Sequence, residues 1–283
     1  MLADRWPDGT EFPGGAPANV AFHVAALGVK SVLLSRVGDD PSGRRLRGWL
    51  RGAGVSMDCC QIDGERPTGV VAVDPAGAGG PRYDIAGPAA WDFLEASEEA
   101  RALAAGSRVF VFGTLAQRYP VSRAAIRELA AAAARGGSCV LADLNLRAPF
   151  FDEETVLWTL RHSRVLKLGR EELLQVSSLL AASGTEREMF TGLLREFAIP
   201  CGVLTAGSDG AWIYEDGELS HQPAAPAEAV DPVGAGDAFA AVLAAGLARG
   251  RKLRELAPQA ARVAAYVVSQ RGATPALPAG LPG

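Results

Sequence analysis

Hydrophobic positions fall into two alternating patterns along the chain. Short β-branched and aromatic runs predict strands at Ser31–Val37, Val70–Val73, Arg82–Ile85, Arg108–Phe112, Ser138–Asp143, Arg164–Leu168, Gly202–Thr205 and Ala211–Tyr214. Between them lie stretches with helical spacing: Ala18–Leu27, Gly43–Arg51, Ser122–Ala134, Glu153–Arg161, Arg170–Leu180, Glu186–Phe197, Ala235–Ala248 and Arg254–Gln270, the last with a possible break at Pro258. Val109-Phe-Val-Phe112 and Val203-Leu204 are apolar without alternation, which suits strands covered on both faces. Strand–helix alternation of this kind predicts a three-layer α/β/α fold with a mostly parallel central sheet.

Two segments depart from the rhythm. Residues 5–15 concentrate Pro7, Gly9, Pro13, Gly14 and Gly15. Residues 56–90 hold two β-like runs joined by the turn-rich stretch from Asp74 to Pro81. Together they are expected to form a small β-sheet lid within a single domain spanning 1–283. In such sheets ligands bind beyond the carboxyl ends of the strands. Attention therefore goes to polar residues at those ends: Asp143, Asn145, Lys167, Thr205 and Gly207.

Composition narrows the choices. The 283 residues include 48% hydrophobic and 21% charged side chains, and the formal net charge of −4 gives no electrostatic case for nucleic-acid binding. Cys59, Cys60, Cys139 and Cys201 show no metal-ligand spacing and are read as reduced thiols. No signal peptide or unbroken apolar run of about 18 residues is visible, so no membrane association is expected and the cytoplasm is the expected compartment.

The densest chemical pattern is Asp231-Pro-Val-Gly234-Ala235-Gly236-Asp237, followed at once by an apolar helix. A glycine turn entering a helix aims backbone N–H groups at one point, and the helix dipole adds positive character there. Asp237, in the first turn, would face the bound anion, a place where a carboxylate serves to take a proton from an attacking hydroxyl. The same residues also suit an ordinary helix start with a stabilising acid. Upstream, Gly14-Gly15-Ala-Pro-Ala-Asn19 lets backbone approach a ligand, with Asn19 opening a helix as a plain cap in the simpler reading. Asp143, Asn145 and Arg147 alternate at a strand end and could converge on one face. Thr205-Ala-Gly207-Ser-Asp-Gly210 could cradle a nucleotide phosphate or form a tight hairpin turn. Walker, dinucleotide-binding and hydrolase-elbow signatures are absent.

Taken in order, these motifs resemble the ribokinase/PfkB carbohydrate kinase family, and within it the fructokinase-type members. The resemblance covers nearly the whole chain and includes Ser269-Gln-Arg-Gly272-Ala-Thr-Pro near the end. It implies a ribokinase-like core with a sugar-covering lid, ATP as donor with Mg2+, and a monovalent cation as a further candidate. It implies in-line phosphoryl transfer to a sugar, with fructose leading and 2-keto-3-deoxygluconate or ribose as other acceptors. Asp237 would be the general base, and the Gly234, Ala235 and Gly236 amides the anion hole. Asp4, Gly14, Gly15 and Asn19 would meet the sugar, and Asp231 the sugar or a cation-binding loop. Arg82, Tyr83 and Arg147 are candidate discriminators among sugars, with Asp143 beside them; Lys167, Thr205, Gly207 and Gly210 fall to the nucleotide. Glu172 would hold the metal through water, although the family's Asn three residues earlier is Gly169 here. The family's first strand is expected to be incomplete, since Met1 lies just before Asp4. A homodimer through the lid is a further expectation. A non-catalytic sugar-binding regulator on the same fold is the alternative reading.

Overall fold

The structure, a computed structural model, describes residues 1–5, 9–74 and 82–281, excluding the side chains of Val73, Asp74, Arg82 and Tyr83. In chain order the strands are β1 (Leu2–Arg5), β2 (Glu11–Gly14), β3 (Ser31–Val32), β4 (Ser35–Gly38), β5 (Val55–Ser56), β6 (Cys60–Asp63), β7 (Gly69–Asp74), β8 (Arg82–Ile85), β9 (Val109–Phe112), β10 (Cys139–Asp143), β11 (Val165–Gly169), β12 (Cys201–Thr205), β13 (Ala211–Glu215) and β14 (Glu218–Gln222). The helices are α1 (Ala16–Ala26), α2 (Pro41–Gly52), α3 (Glu98–Gly106), α4 (Pro120–Arg135), α5 (Glu153–Arg161), α6 (Arg170–Leu179), α7 (Glu186–Glu196), α8 (Ala235–Leu247) and α9 (Leu253–Val268). The α/β architecture with a mostly parallel main sheet expected from the sequence is present.

The main sheet runs β14-β13-β12-β11-β10-β9, parallel from β9 through β12 and antiparallel beyond. Its side chains alternate between two cores. Phe110, Phe112, Val140, Ala142, Leu166, Leu168 and Leu204 join the core shared with residues of α3 to α7. Val109, Val111, Leu141, Val165, Val203 and Ile213 face α8 and α9. Burial on both faces is why these strands carry no polar alternation.

A second sheet, in the order β2-β1-β7-β8, is built from the glycine- and proline-rich segments. The first strand, β1, has four residues and lies in this second sheet, parallel to β7. Residues 55–63 do not join it: β5 and β6 pair with β3 and β4. The run Ser31–Val37, read as one strand, is therefore two, because the chain passes from one partner to the next at Leu33-Leu34. The turn residues 75–81 lie outside the described residues. Helix α9 continues through Pro258 without a break. No helix among the described residues is long and apolar enough to cross a membrane.

Candidate active site

Two strand ends and two helix starts meet at one place. Asp143 closes β10 and Lys167 lies opposite it on β11, in direct register. Strand alternation turns both toward the α8 face, the side that Leu141 and Val165 also face. There Lys167 Nζ donates to both Asp143 carboxylate oxygens at 2.9 Å. Burial works against the ammonium, but the charge and hydrogen bonds of Asp143 hold its pKa above the ordinary lysine value. A Cβ on Gly236 would lie 3.4 Å from Lys167 Nζ, so the ion pair sits directly under the start of α8. Lys167, expected at the nucleotide, is first of all the partner of Asp143.

The start of α8 depends on Gly234. It caps the helix in the left-handed region, at φ 81°, and a Cβ there would come within 2.5 Å of Ala273 Cα. Both the backbone angle and the space exclude a side chain. The strain alone would cost about 1–3 kcal/mol. Gly234→Ala is accordingly expected to lower stability by at least that much and to slow turnover, measured by urea unfolding and kinetics on the same preparation. Asp231 holds the other end of the turn: its carboxylate accepts from Val233 N and Gly272 N, both at 3.0 Å. Expected at the sugar or a cation-binding loop, it is bonded to the backbone of its own loop and of Gly272.

Asp237 stands in the first turn of α8. Asn19 Nδ2 donates to its Oδ2 at 2.8 Å. Burial pushes the Asp237 pKa up to about 6; the Asn19 hydrogen bond pulls it down, Asp143 pushes it up, and Lys167 and Arg147 pull it down. Asn19 is not a cap. Gly15 caps α1, Pro17 follows in its first positions, and Asn19 is buried one turn inside the helix with its Oδ1 unpartnered. The proline was the available signal: Pro favours the first helical positions, which places Asn19 too far in to cap.

Asp4, on β1, lies beside the same cluster. Burial, then the charges of Asp237 and Asp231, raise its pKa to about 6. Gly14 is glycine because a Cβ there would fall 2.3 Å from Asp4 Oδ2. Gly15 keeps a positive φ of 93° as the cap of α1.

Other expected residues take different positions. The strand ends at Asp143, and Asn145 adopts φ 47°, so Asp143, Asn145 and Arg147 do not share a face by strand alternation. Arg147 is exposed, donates to Leu146 O at 3.0 Å, and still contributes its charge to Asp237. Thr205, Gly207 and Gly210 form the turn of the β12–β13 hairpin, beside Gly169, which is in register with Thr205. Gly210 approaches the backbone after β14 closely, whereas Gly207 faces open space. Both Glu172 oxygens accept backbone N–H groups, Leu146 at 2.7 Å and Gly169 at 2.6 Å. Burial, then the charge of Asp143, raises the Glu172 pKa, against the pull of the Gly169 N–H, Lys167 and the Leu146 N–H. It braces the β10 exit against the start of α6. Among the described residues no group of three or more His, Cys, Asp and Glu side chains forms a metal cage. The Arg82 side chain lies outside the described residues.

The assembled cluster is thus a carboxylate poised near neutrality at a helix start, with a second acid beside it and a buried cation below. Comparison with known proteins gives a consistent picture. Residues 2–280 match the family model described as pfkB family carbohydrate kinase. A fructokinase from Klebsiella pneumoniae is 33% identical, with 98% of this chain and 94% of that protein covered. Among solved structures, aminoimidazole riboside kinase from Salmonella enterica, complexed with aminoimidazole riboside and an ATP analog, superposes with a TM-score of 0.85 at 27% identity, covering 98% of this chain and 93% of that one. Fructokinase from Vibrio cholerae O395, bound to fructose, ADP and calcium ion, gives 0.84 at 27% identity, with 98% and 93% covered. A double mutant of the Vibrio enzyme holds fructose, ADP and potassium ion.

Proposed function

This chain belongs to the pfkB family of carbohydrate kinases, and from that premise we propose that it transfers the γ-phosphoryl group of ATP to a hydroxyl of fructose, with Asp237 as general base. The observation that carries the reading is the Asp237 carboxylate, fixed by Asn19 and raised to about 6 at the N-terminus of α8. A base with that pKa is ionised at neutral pH yet close enough to it to accept a proton efficiently.

The sugar is placed between Asp4 and Asn19, whose unpartnered Oδ1 awaits a hydroxyl donor. A hydroxyl beside Asp237 loses its proton as it attacks phosphorus in line with the departing ADP oxygen. Charge growing on the transferred group meets the first-turn N–H groups of α8, which have no partner within the helix, and the dipole behind them. Lys167, already ion-paired, supplies fixed positive character below the turn, and Asp143 keeps it there. Arg147, exposed at the rim, is the residue on this side able to meet a charged or polar substituent. The open Gly207 turn and Thr205 are the proposed nucleotide contacts.

The residues fit a magnesium ion carried on the nucleotide phosphates: Glu172 keeps a second lone pair on each oxygen for a bridging water, and among the described residues no protein cage competes. Such an ion would neutralise phosphate oxygens. A monovalent cation is proposed to act on the loop that Asp231 closes.

Fructose leads because the curated relative covering nearly all of both chains is a fructokinase. The riboside kinase is as similar in structure, so a riboside belongs in any acceptor panel. Because Asp237 must be ionised to act and its pKa is raised, kcat/KM for the sugar is expected to rise with pH through about 6 and level off above it. A profile flat from pH 5 to 7.5 would remove Asp237 as the base. Calorimetric binding of fructose together with ADP release tests the substrate itself.

A further inference from the structure

The anion-binding turn is held from outside by a side chain that no step of the reaction uses. His23 lies on α1 one turn beyond Asn19 and is fully buried. Its Nε2 is 2.9 Å from Ala273 O, while Nδ1 has no partner. Burial lowers its pKa, so the ring is neutral, and the contact to a carbonyl requires Nε2 to carry the hydrogen. Phe22 packs on the ring edge-on, with centroids 5.2 Å apart.

Ala273 connects this contact to the site. Its Cα and Cβ occupy the place a side chain on Gly234 would take. The preceding residue, Gly272, donates to Asp231. The chain at 272–273 is therefore pressed against both ends of the 231–236 turn. On its other side it is bonded to His23. Helix α1 thus addresses one reaction centre twice, from two side chains four residues apart and on the same face. Asn19 fixes the carboxylate of Asp237, and His23 fixes the backbone on which Gly234 rests.

We propose that His23 is a positioning residue for phosphoryl transfer: its hydrogen bond to Ala273 sets the placement of the Gly234–Asp237 turn relative to the Asp237 carboxylate. The inference rests on the reading of that turn as the transfer site. Loss of the bond lets residues 272–273 relax away from Gly234. The turn then shifts by a fraction of an ångström, which matters for the transition state much more than for sugar binding at Asp4 and Asn19. A residue that merely filled core space would lower stability and leave the kinetic constants of the folded fraction alone.

The test compares three substitutions, with kinetics normalised to folded protein. Gln places its Nε2 where the histidine Nε2 lies and can still donate to Ala273 O. Leu fills similar space without a donor, and Met does so with greater flexibility should Leu not fold. His23→Leu or His23→Met is expected to lower kcat by roughly ten- to a hundredfold, up to the cost of a small misplacement of reacting groups, with sugar KM nearly unchanged. His23→Gln is expected to restore most of kcat. Equal kcat in all the variants and the parent, or equal loss in Gln, Leu and Met, overturns the proposal. Wild-type protein that turns over no sugar fails the underlying reading instead, so the two failures are distinct.

Discussion

Asp237→Asn is expected to reduce kcat by roughly 10²- to 10⁴-fold, the range general-base catalysis contributes, while sugar affinity changes little. The substitution is nearly isosteric. Asn19 Nδ2 keeps an oxygen to donate to, so the first turn of α8 should stay in place. What disappears is the ability to take a proton. Steady-state kinetics with calorimetric sugar binding on the same preparation checks both halves. Turnover at the parent rate would assign the proton to another group, and Asp4, raised to the same range, would be the next to examine. Such a loss with binding retained also separates a kinase from a sugar-binding regulator, which needs no base.

The second large effect is expected at Lys167. Its ion pair with Asp143 is buried, with side-chain exposures of 6% and 9%. Lys167→Met leaves the Asp143 carboxylate inside the protein without its cation. Breaking a buried pair in this way costs about 3–5 kcal/mol, and for a chain of this size that is a fall in Tm of about 10 °C. Turnover should fall as well, since the ammonium lies directly beneath Gly236. Adding Asp143→Asn to Lys167→Met removes the orphaned charge and should return part of the stability but not the activity. Thermal unfolding of the parent and the two variants measures this directly. A double variant no more stable than Lys167→Met would mean that the orphaned charge is not what destabilises it.

Much of this arrangement can be read in the chain itself, and the parts that cannot have physical reasons. The strands β9 to β12 announce themselves because both faces are buried, which leaves unbroken apolar runs such as Val109-Phe-Val-Phe112. Glu153–Arg161 is legible to the residue, with Asp152 as its cap. Among the short and edge strands, Arg82–Ile85 is legible to the residue while others are not. Glu218–Gln222 is a polar edge strand, and β1 and β2 are four residues each, with Pro13 in the second. Helix α3 is short, although Ser97, which accepts from Ala100 N, was a usable cap signal.

The site divides in the same way. Glycines are legible because they answer to local geometry: Gly234 to its left-handed backbone, Gly14 to the nearness of Asp4. Partnerships across the chain are not. Asn19 and Asp237 are 218 residues apart, and His23 and Ala273 are 250 apart. Nothing local to either member announces the other. Asp143 and Lys167 stood out as polar strand ends, but only the register of β10 with β11 turns two such residues into an ion pair. Glu172 and Asp231 also accept backbone N–H groups from other segments, and these contacts are not legible in the sequence either.

The most direct measurement is ADP release from Mg-ATP by the wild-type protein against fructose, 2-keto-3-deoxygluconate, ribose, tagatose and a riboside, with Asp237→Asn as control. Saturable turnover with fructose well above the other acceptors, lost in the control, is the expected result. Turnover equally fast in the control, or no acceptor raising ADP release above the sugar-free rate, would contradict it.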